Sequence, residues 1–319
     1  MKNYLQLIRW PNLLIIIITM LAIRYGVEYP FLKFNGFEFQ FPLFKFILLI
    51  LSVVLIAAGG YAINDYFDRK IDLLNRPDKV VVGTHFDSRK AMTIHNLFTF
   101  IGLMIGLYLS YDIGYLNFTF IFAIITGALW FYSTVYKRQL IVGNVIIALL
   151  TAIVPFMVLL YDLPLINQHY SFVFAKNPQY VIEMRYMMYA IFMFSGFAFL
   201  STLVREIIKD MEDANGDEAF SRKTIPIVWG YTAAKTITIV LILITIASLA
   251  FVYFIFMQNM LSLAYLLVLL AAPMLALIYF LLKAETAKDF AFCSLLQKII
   301  MLIGLLYVVP FALTIMNIV

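Results

Sequence analysis

The chain has 319 residues, of which 64% are hydrophobic and only 13% charged; a soluble globular domain carries about 25% charged residues. Its net charge of +5 comes without a basic helix interleaved with aromatics, which excludes a nucleic-acid surface. A single cysteine, Cys293, excludes a disulfide framework and a thiolate metal site, and His85, His95 and His169 are scattered without metal-ligand spacing.

Apolar runs long enough to cross a bilayer lie near residues 4–25, 43–64, 91–111, 115–136, 140–162, 186–209, 232–256, 259–283 and 290–318. They predict an all-α polytopic bundle of about nine transmembrane helices, forming one integral membrane domain over 1–319. No Ala-x-Ala-like cleavage site follows the first run, which reads as a retained helix. The Phe-rich stretch 26–42 reads as an interfacial segment. Longer connections are expected at 65–90, 163–185 and 210–231. With the N-terminus inside, 18 of the 23 basic residues, Lys298 among them, fall on the cytoplasmic side. Only Arg24, Lys33, Lys45, Lys176 and Arg185 fall on the other. The positive-inside rule then predicts a multi-pass protein of the inner (cytoplasmic) membrane with its N-terminus in the cytoplasm.

Two acidic stretches end the second and sixth runs. Asp65, Asp68 and Asp72 follow Asn64; Asp210, Asp213 and Asp217 repeat the same Asp-x-x-Asp-x-x-x-Asp spacing. At about 100° per residue these offsets place three carboxylates within a roughly 60° wedge of one helix face. A lone acidic cluster at a membrane helix end is ordinarily a solvated cap. Two clusters with one spacing are not explained that way. Facing each other, six carboxylates beside lipid require cations, and Mg²⁺ suits them because it combines a few carboxylates with phosphate oxygens. Glu206 lies one turn before Asp210, and Tyr61 one turn before Asp65. Arg76, Lys79, Lys137, Arg138, Arg222 and Lys223 cluster nearby and are candidates to meet the remaining phosphate charge. Runs two and six cross in the same direction four helices apart. This suggests parallel pseudo-repeats of about 1–136 and 137–283 with a final helix near 290–318.

Two rival chemistries fit less well. A cation or organic-anion transporter needs carboxylates at mid-membrane, whereas these sit at one face. A CDP-alcohol phosphotransferase motif needs Asp-Gly and Ala-Arg, which neither stretch contains.

The motifs, on nine apolar runs, resemble the UbiA superfamily of intramembrane prenyltransferases. The longer strings from Asn64 to Pro77 and from Arg205 to Asp217, with Gly143-Asn144 after Lys137-Arg138, are most similar to the branch that alkylates geranylgeranylglyceryl phosphate. The resemblance implies a central lipid-open cavity, two Mg²⁺ ions on the six aspartates, and a polyprenyl diphosphate donor with a lipid-soluble acceptor. Asn64 belongs with the first metal-and-diphosphate arm. Many members carry Tyr-x-x-x-Lys at the end of the fourth helix; here Tyr132 precedes Lys137 by five residues, so Tyr132 and Tyr136 are both candidates. Where relatives have a Pro-Ser-Gly turn, this chain reads Val80-Val81-Val82-Gly83. The implied chemistry is ionisation of an allylic diphosphate, with the metal polarising the leaving group and aromatic faces shielding the cation. Lys137, Arg138, Arg205 and Lys209 are the cations available for an acceptor phosphate. A hydroxybenzoate or dihydroxynaphthoate is the alternative acceptor.

Overall fold

The computed structural model describes residues 2–75, 80–84 and 86–316. Among these residues, nine helices are long and apolar enough to cross a membrane. They are α1 (Trp10–Phe34), α2 (Leu43–Asn75), α3 (Ser88–Asp112), α4 (Leu116–Thr134), α5 (Val142–His169), α6 (Gln179–Ala219), α7 (Ile225–Phe256), α8 (Met260–Lys283) and α9 (Ala287–Ile315). No strand occurs among the described residues, only an isolated bridge between Val82 and Phe86.

The expected long connections are largely helix. α2 runs on through the first acidic stretch to Asn75, and α6 through the second to Ala219. Hydropathy falls there because Asp, Arg and Lys enter the sequence. Helical periodicity persists, however, and it keeps Ile71, Met211 and Ala214 buried on one side. Residues 163–185 are also mostly helical: α5 reaches His169, a short helix covers Ser171–Lys176, and α6 begins at Gln179.

The chain forms two compact units. One comprises Met1–Ile18, Phe41–Ile146 and Asn215–Lys223; the other comprises Thr19–Gln40, Ile147–Ala214 and Thr224–Val319. In the first unit, α2 and α3 approach closely at two glycines. A Cβ on Gly59 would lie 2.7 Å from Thr99 Oγ1 and 3.2 Å from the His95 carbonyl oxygen. On Gly102 it would lie 3.0 Å from the Ser52 carbonyl oxygen. Ser52 Oγ donates to the Gly102 carbonyl at 2.7 Å, and His95 Nδ1 lies 2.9 Å from the Gly59 carbonyl oxygen. This crossing fixes the lower part of α2, from which the acidic stretch projects.

In the second unit, Gln297 Nε2 of α9 donates to the Ser201 carbonyl of α6 at 3.0 Å. Tyr265 Oη donates to the Ile303 carbonyl at 2.7 Å, joining α8 to α9. The Phe-rich segment is packed by aromatics: Phe37 meets Tyr170, Phe174 and Tyr180 with ring centroids 4.6, 5.5 and 4.9 Å away. Gly230, at φ +81°, breaks α7 after its first five residues.

Gly59→Leu is expected to destabilise the protein by about 1–3 kcal/mol through overpacking against the backbone of α3. Thermal unfolding in detergent checks this. Gly127→Ala, which meets nothing within 4 Å, is the control and should unfold like the wild type.

Candidate active site

The acidic stretches lie on the final turns of α2 and α6. On α2, Asn64 and Asp68 are buried and Asp65 and Asp72 half-buried, while Arg69, Lys70, Leu73 and Leu74 are exposed. On α6, Asp217 is buried and Asp210 and Asp213 are half-buried, with Asn215, Glu218 and Ala219 exposed.

The last carboxylate of the second stretch meets the middle carboxylate of the first through one guanidinium. Arg222 Nη1 donates to Asp217 Oδ1 at 3.0 Å, and Nη2 pairs with Asp68 Oδ1. All three side chains are buried. Local geometry explains how Arg222 gets there. After α6 the chain reverses through Ser221 in the left-handed region (φ +55°). The Arg222 N–H bonds back to the Asp217 carbonyl at 2.9 Å and the Ser221 N–H to Glu218 at 3.0 Å. This is a Schellman closure with serine where glycine is usual. Burial opposes the charge of Arg222, but Asp68 and Asp217 outweigh it and hold the guanidinium protonated more firmly than usual.

A second cation meets Asp68. Lys137 lies on the turn Tyr136–Arg138 that follows α4. Its Nζ donates to Asn64 Oδ1 at 3.1 Å and pairs with Asp68 Oδ2. The Lys137 ammonium also lies 5.9 Å from the centroid of the Tyr132 ring. Gly143 makes this possible: a Cβ there would stand 3.0 Å from the Tyr136 carbonyl oxygen and 3.1 Å from Lys137 Cα. The start of α5 therefore rests directly against the lysine-bearing turn.

The sequence reading missed Arg9 as a site residue and counted it only toward topology. Its Nη2 donates to Asp65 Oδ1 at 2.7 Å, with the guanidinium carbon 5.2 Å from the centroid of the Tyr61 ring. Arg9 and Ser221 are the two non-glycine residues with positive φ among the described residues. Backbone strain is thus concentrated beside the two arginines that meet the first acidic stretch. The available signal was an arginine directly before Trp10-Pro11-Asn12 at the mouth of the first helix.

The other candidates are placed as follows. Tyr136 packs on Phe131, with ring centroids 6.1 Å apart, so of the two tyrosines Tyr132 is the one facing Lys137. Arg138 and Lys223 are exposed, and the Lys223 N–H donates to the Arg138 carbonyl at 3.1 Å, tying two loops together by backbone. On α6, Arg205 pairs with Glu206 at 2.8 Å and Lys209 is half-buried. Arg76 and Lys79 lie outside the described residues. In the loop after the first acidic stretch, Val80, Val81 and Val82 are buried; Val81 and Val82 pack with Leu7, Ala62, Phe86 and Ala91. Gly83 (φ +93°) closes this turn through its N–H to the Phe86 carbonyl at 2.7 Å.

A multi-pass helical membrane protein with carboxylates and cations gathered at its helix ends is the class these features define. The model of the UbiA prenyltransferase family matches residues 36–305, and the chain belongs to that family. It is an enzyme that transfers prenyl groups. The digeranylgeranylglyceryl phosphate synthase of Methanosphaera stadtmanae is 25% identical over 266 residues, 83% of this chain and 82% of that protein. A solved structure reported for digeranylgeranylglyceryl phosphate synthase in membranes is 24% identical, with a TM-score of 0.60 over 98% of each chain. A UbiA homolog from Archaeoglobus fulgidus, solved bound to GPP and Mg²⁺, is 15% identical with a TM-score of 0.58, covering 97% of this chain and 99% of that one.

Arg222→Met removes the cation between two buried carboxylates and is expected to cost about 3–5 kcal/mol. Mg²⁺ should restore part of the lost unfolding midpoint in this variant, and by more than it shifts the wild type. An unchanged midpoint in Arg222→Met would show that the bridge contributes nothing to the fold.

Proposed function

We propose that the protein transfers a geranylgeranyl group from its diphosphate to geranylgeranylglyceryl phosphate, using two Mg²⁺ ions held by Asp65, Asp68, Asp72, Asp210, Asp213 and Asp217. The observation that carries this reading is the Asp68–Arg222–Asp217 bridge, which joins the two repeated motifs through a single cation. The names of the curated relatives support the acceptor, and the A. fulgidus homolog bound to GPP and Mg²⁺ supports the donor and the metal. The positive-inside distribution supports a cytoplasmic N-terminus and site in the inner membrane.

The donor set fits the metal. Every oxygen in it is a hard carboxylate oxygen, with Lys137 and Arg222 paired to Asp68 and Arg9 to Asp65. Among the described residues no three His, Cys, Asp or Glu side chains are gathered closely enough to hold a metal alone. Ions held by these aspartates would therefore need phosphate oxygens and water to complete their shells, as Mg²⁺ ordinarily does.

When bound, Mg²⁺ supplies positive charge to the departing diphosphate. Asp68 would help hold the metal, and Arg222 and Lys137, which stand on Asp68, would be available to the diphosphate oxygens. Tyr132, beside Lys137, offers a π face close to the same charge. The allylic carbon–oxygen bond breaks, diphosphate leaves, and the acceptor hydroxyl oxygen forms the new ether bond as its proton departs.

The test is incubation of purified protein with Mg²⁺, labelled geranylgeranyl diphosphate and a panel of acceptors, read by mass spectrometry. Formation of the digeranylgeranylglyceryl ether phosphate is expected. A product only with hydroxybenzoate or dihydroxynaphthoate overturns the acceptor while leaving prenyl transfer in place. Asp65→Ala, Asp68→Ala, Asp210→Ala and Asp213→Ala should each lower turnover about 100-fold or more, with the protein still folded in detergent. Near wild-type turnover in any two of them would sink the metal assignment.

A further inference from the structure

One lysine is left over by both the topology and the proposed metal site. Lys298 belongs by sequence to the cytoplasmic basic group, yet it lies eleven residues inside α9, counted from Ala287. That is about 16 Å of helix rise, against a hydrocarbon core roughly 30 Å thick. After Asp289, Gln297 and Lys298 are the strongly polar residues of this helix. Ionisable groups at such depth are costly and mark binding or transport sites.

Its surroundings are polar too. Gln297 anchors α9 to the Ser201 carbonyl of α6 at 3.0 Å, and one turn on from Ser201 stands Arg205, within electrostatic reach of Lys298. The long lysine stem allows the ammonium to rise toward that guanidinium. Four buried polar atoms in this tier have no hydrogen-bond partner: Ser201 Oγ, Thr202 Oγ1, Arg205 Nε and Gln297 Oε1. Buried polar atoms are nearly always paired, and four on two adjacent helices point to a polar ligand. Arg205, paired with Glu206 through Nη1, and Lys298 bring two cationic side chains to the same tier, and such a pair suits an anionic ligand.

We propose that Arg205 and Lys298, with Ser201, Thr202 and Gln297, bind the phosphate monoester of the acceptor. This rests on the reading that the acceptor is a glycerol phosphate. Arg205 precedes Asp210 by five residues, about 7.5 Å along α6. A glycerophosphate whose reacting hydroxyl lies on the carbon next to the phosphate ester carbon needs a second anion site at such a short remove from the donor diphosphate. Arg205 supplies a planar fork for two phosphate oxygens and Lys298 a point charge for the third.

The test compares wild type, Lys298→Met, Lys298→Arg and Arg205→Lys with geranylgeranylglyceryl phosphate and with its dephosphorylated form. Lys298→Met should raise the acceptor KM about tenfold or more while leaving the donor KM and kcat near wild type. Lys298→Arg should recover most of that loss. With the dephosphorylated acceptor, Lys298→Met and wild type should be equal. Glycerol phosphate alone should raise the unfolding midpoint of the wild type and not of Lys298→Met, a readout independent of turnover. If the glycerophosphate acceptor is used but Lys298→Met and Arg205→Lys leave its KM unchanged, this inference fails and the proposed function stands. If no glycerophosphate is used at all, the proposed function fails and takes this inference with it. Should Lys298→Met not fold, Arg205→Lys alone decides, because it keeps the charge and removes only the fork.

Discussion

A carboxylate taken out of water at the end of a membrane helix has to be met by positive charge, and in this chain Asp68 is met twice. Lys137 reaches it from the turn after α4 and Arg222 from the reversal after α6. Because Arg222 also holds Asp217, one buried guanidinium fixes the distance between the ends of two helices that are far apart in sequence. Much of the local backbone serves these placements. Gly143 lets the lysine-bearing turn lie against α5, Ser221 accepts a left-handed conformation so that Arg222 folds back, and Gly216 leaves room for the Asn75 side chain.

This arrangement has a chemical consequence. Cations already standing on the carboxylates balance their charge and hold them in place, so on the proposed reading a dication arriving with a diphosphate would meet preformed ligands. The displaced Arg and Lys would then have new anionic oxygens within reach. Burial opposes the charge of Arg9, but Asp65 outweighs it and makes the guanidinium harder to deprotonate than usual, so it stays cationic at any working pH. A site of this kind would exchange one set of ion pairs for another on binding.

The spans were legible because they are periodic. Nine apolar runs correspond to nine membrane-length helices among the described residues, and the aspartates at 0-3-7 spacing are buried or half-buried while Arg69, Lys70 and Glu218 are exposed. Helix ends were less legible. Hydropathy drops where Asp68 and Asp213 enter, although the helices continue to Asn75 and Ala219. Basic residues were hardest to sort, since positive-inside bias puts Lys and Arg at the same places as function does. Arg138 and Lys223 followed the bias and are exposed; Arg9 and Arg222 reach carboxylates because the chain turns through a left-handed residue at or beside each. No pattern of residue types announces that turn. Lys298 escaped for another reason: its depth depends on where α9 starts, three residues earlier than its apolar run suggested.

The central claim is that the carboxylates held by Arg9, Lys137 and Arg222 become metal ligands when a diphosphate completes the shell. Counting bound Mn²⁺ by electron paramagnetic resonance, with and without inorganic pyrophosphate, tests it most directly. In the wild type, pyrophosphate should tighten Mn²⁺ binding about tenfold or more, and Asp68→Asn should abolish that gain. Equal Mn²⁺ binding with and without pyrophosphate, or an undiminished gain in Asp68→Asn, would contradict the account.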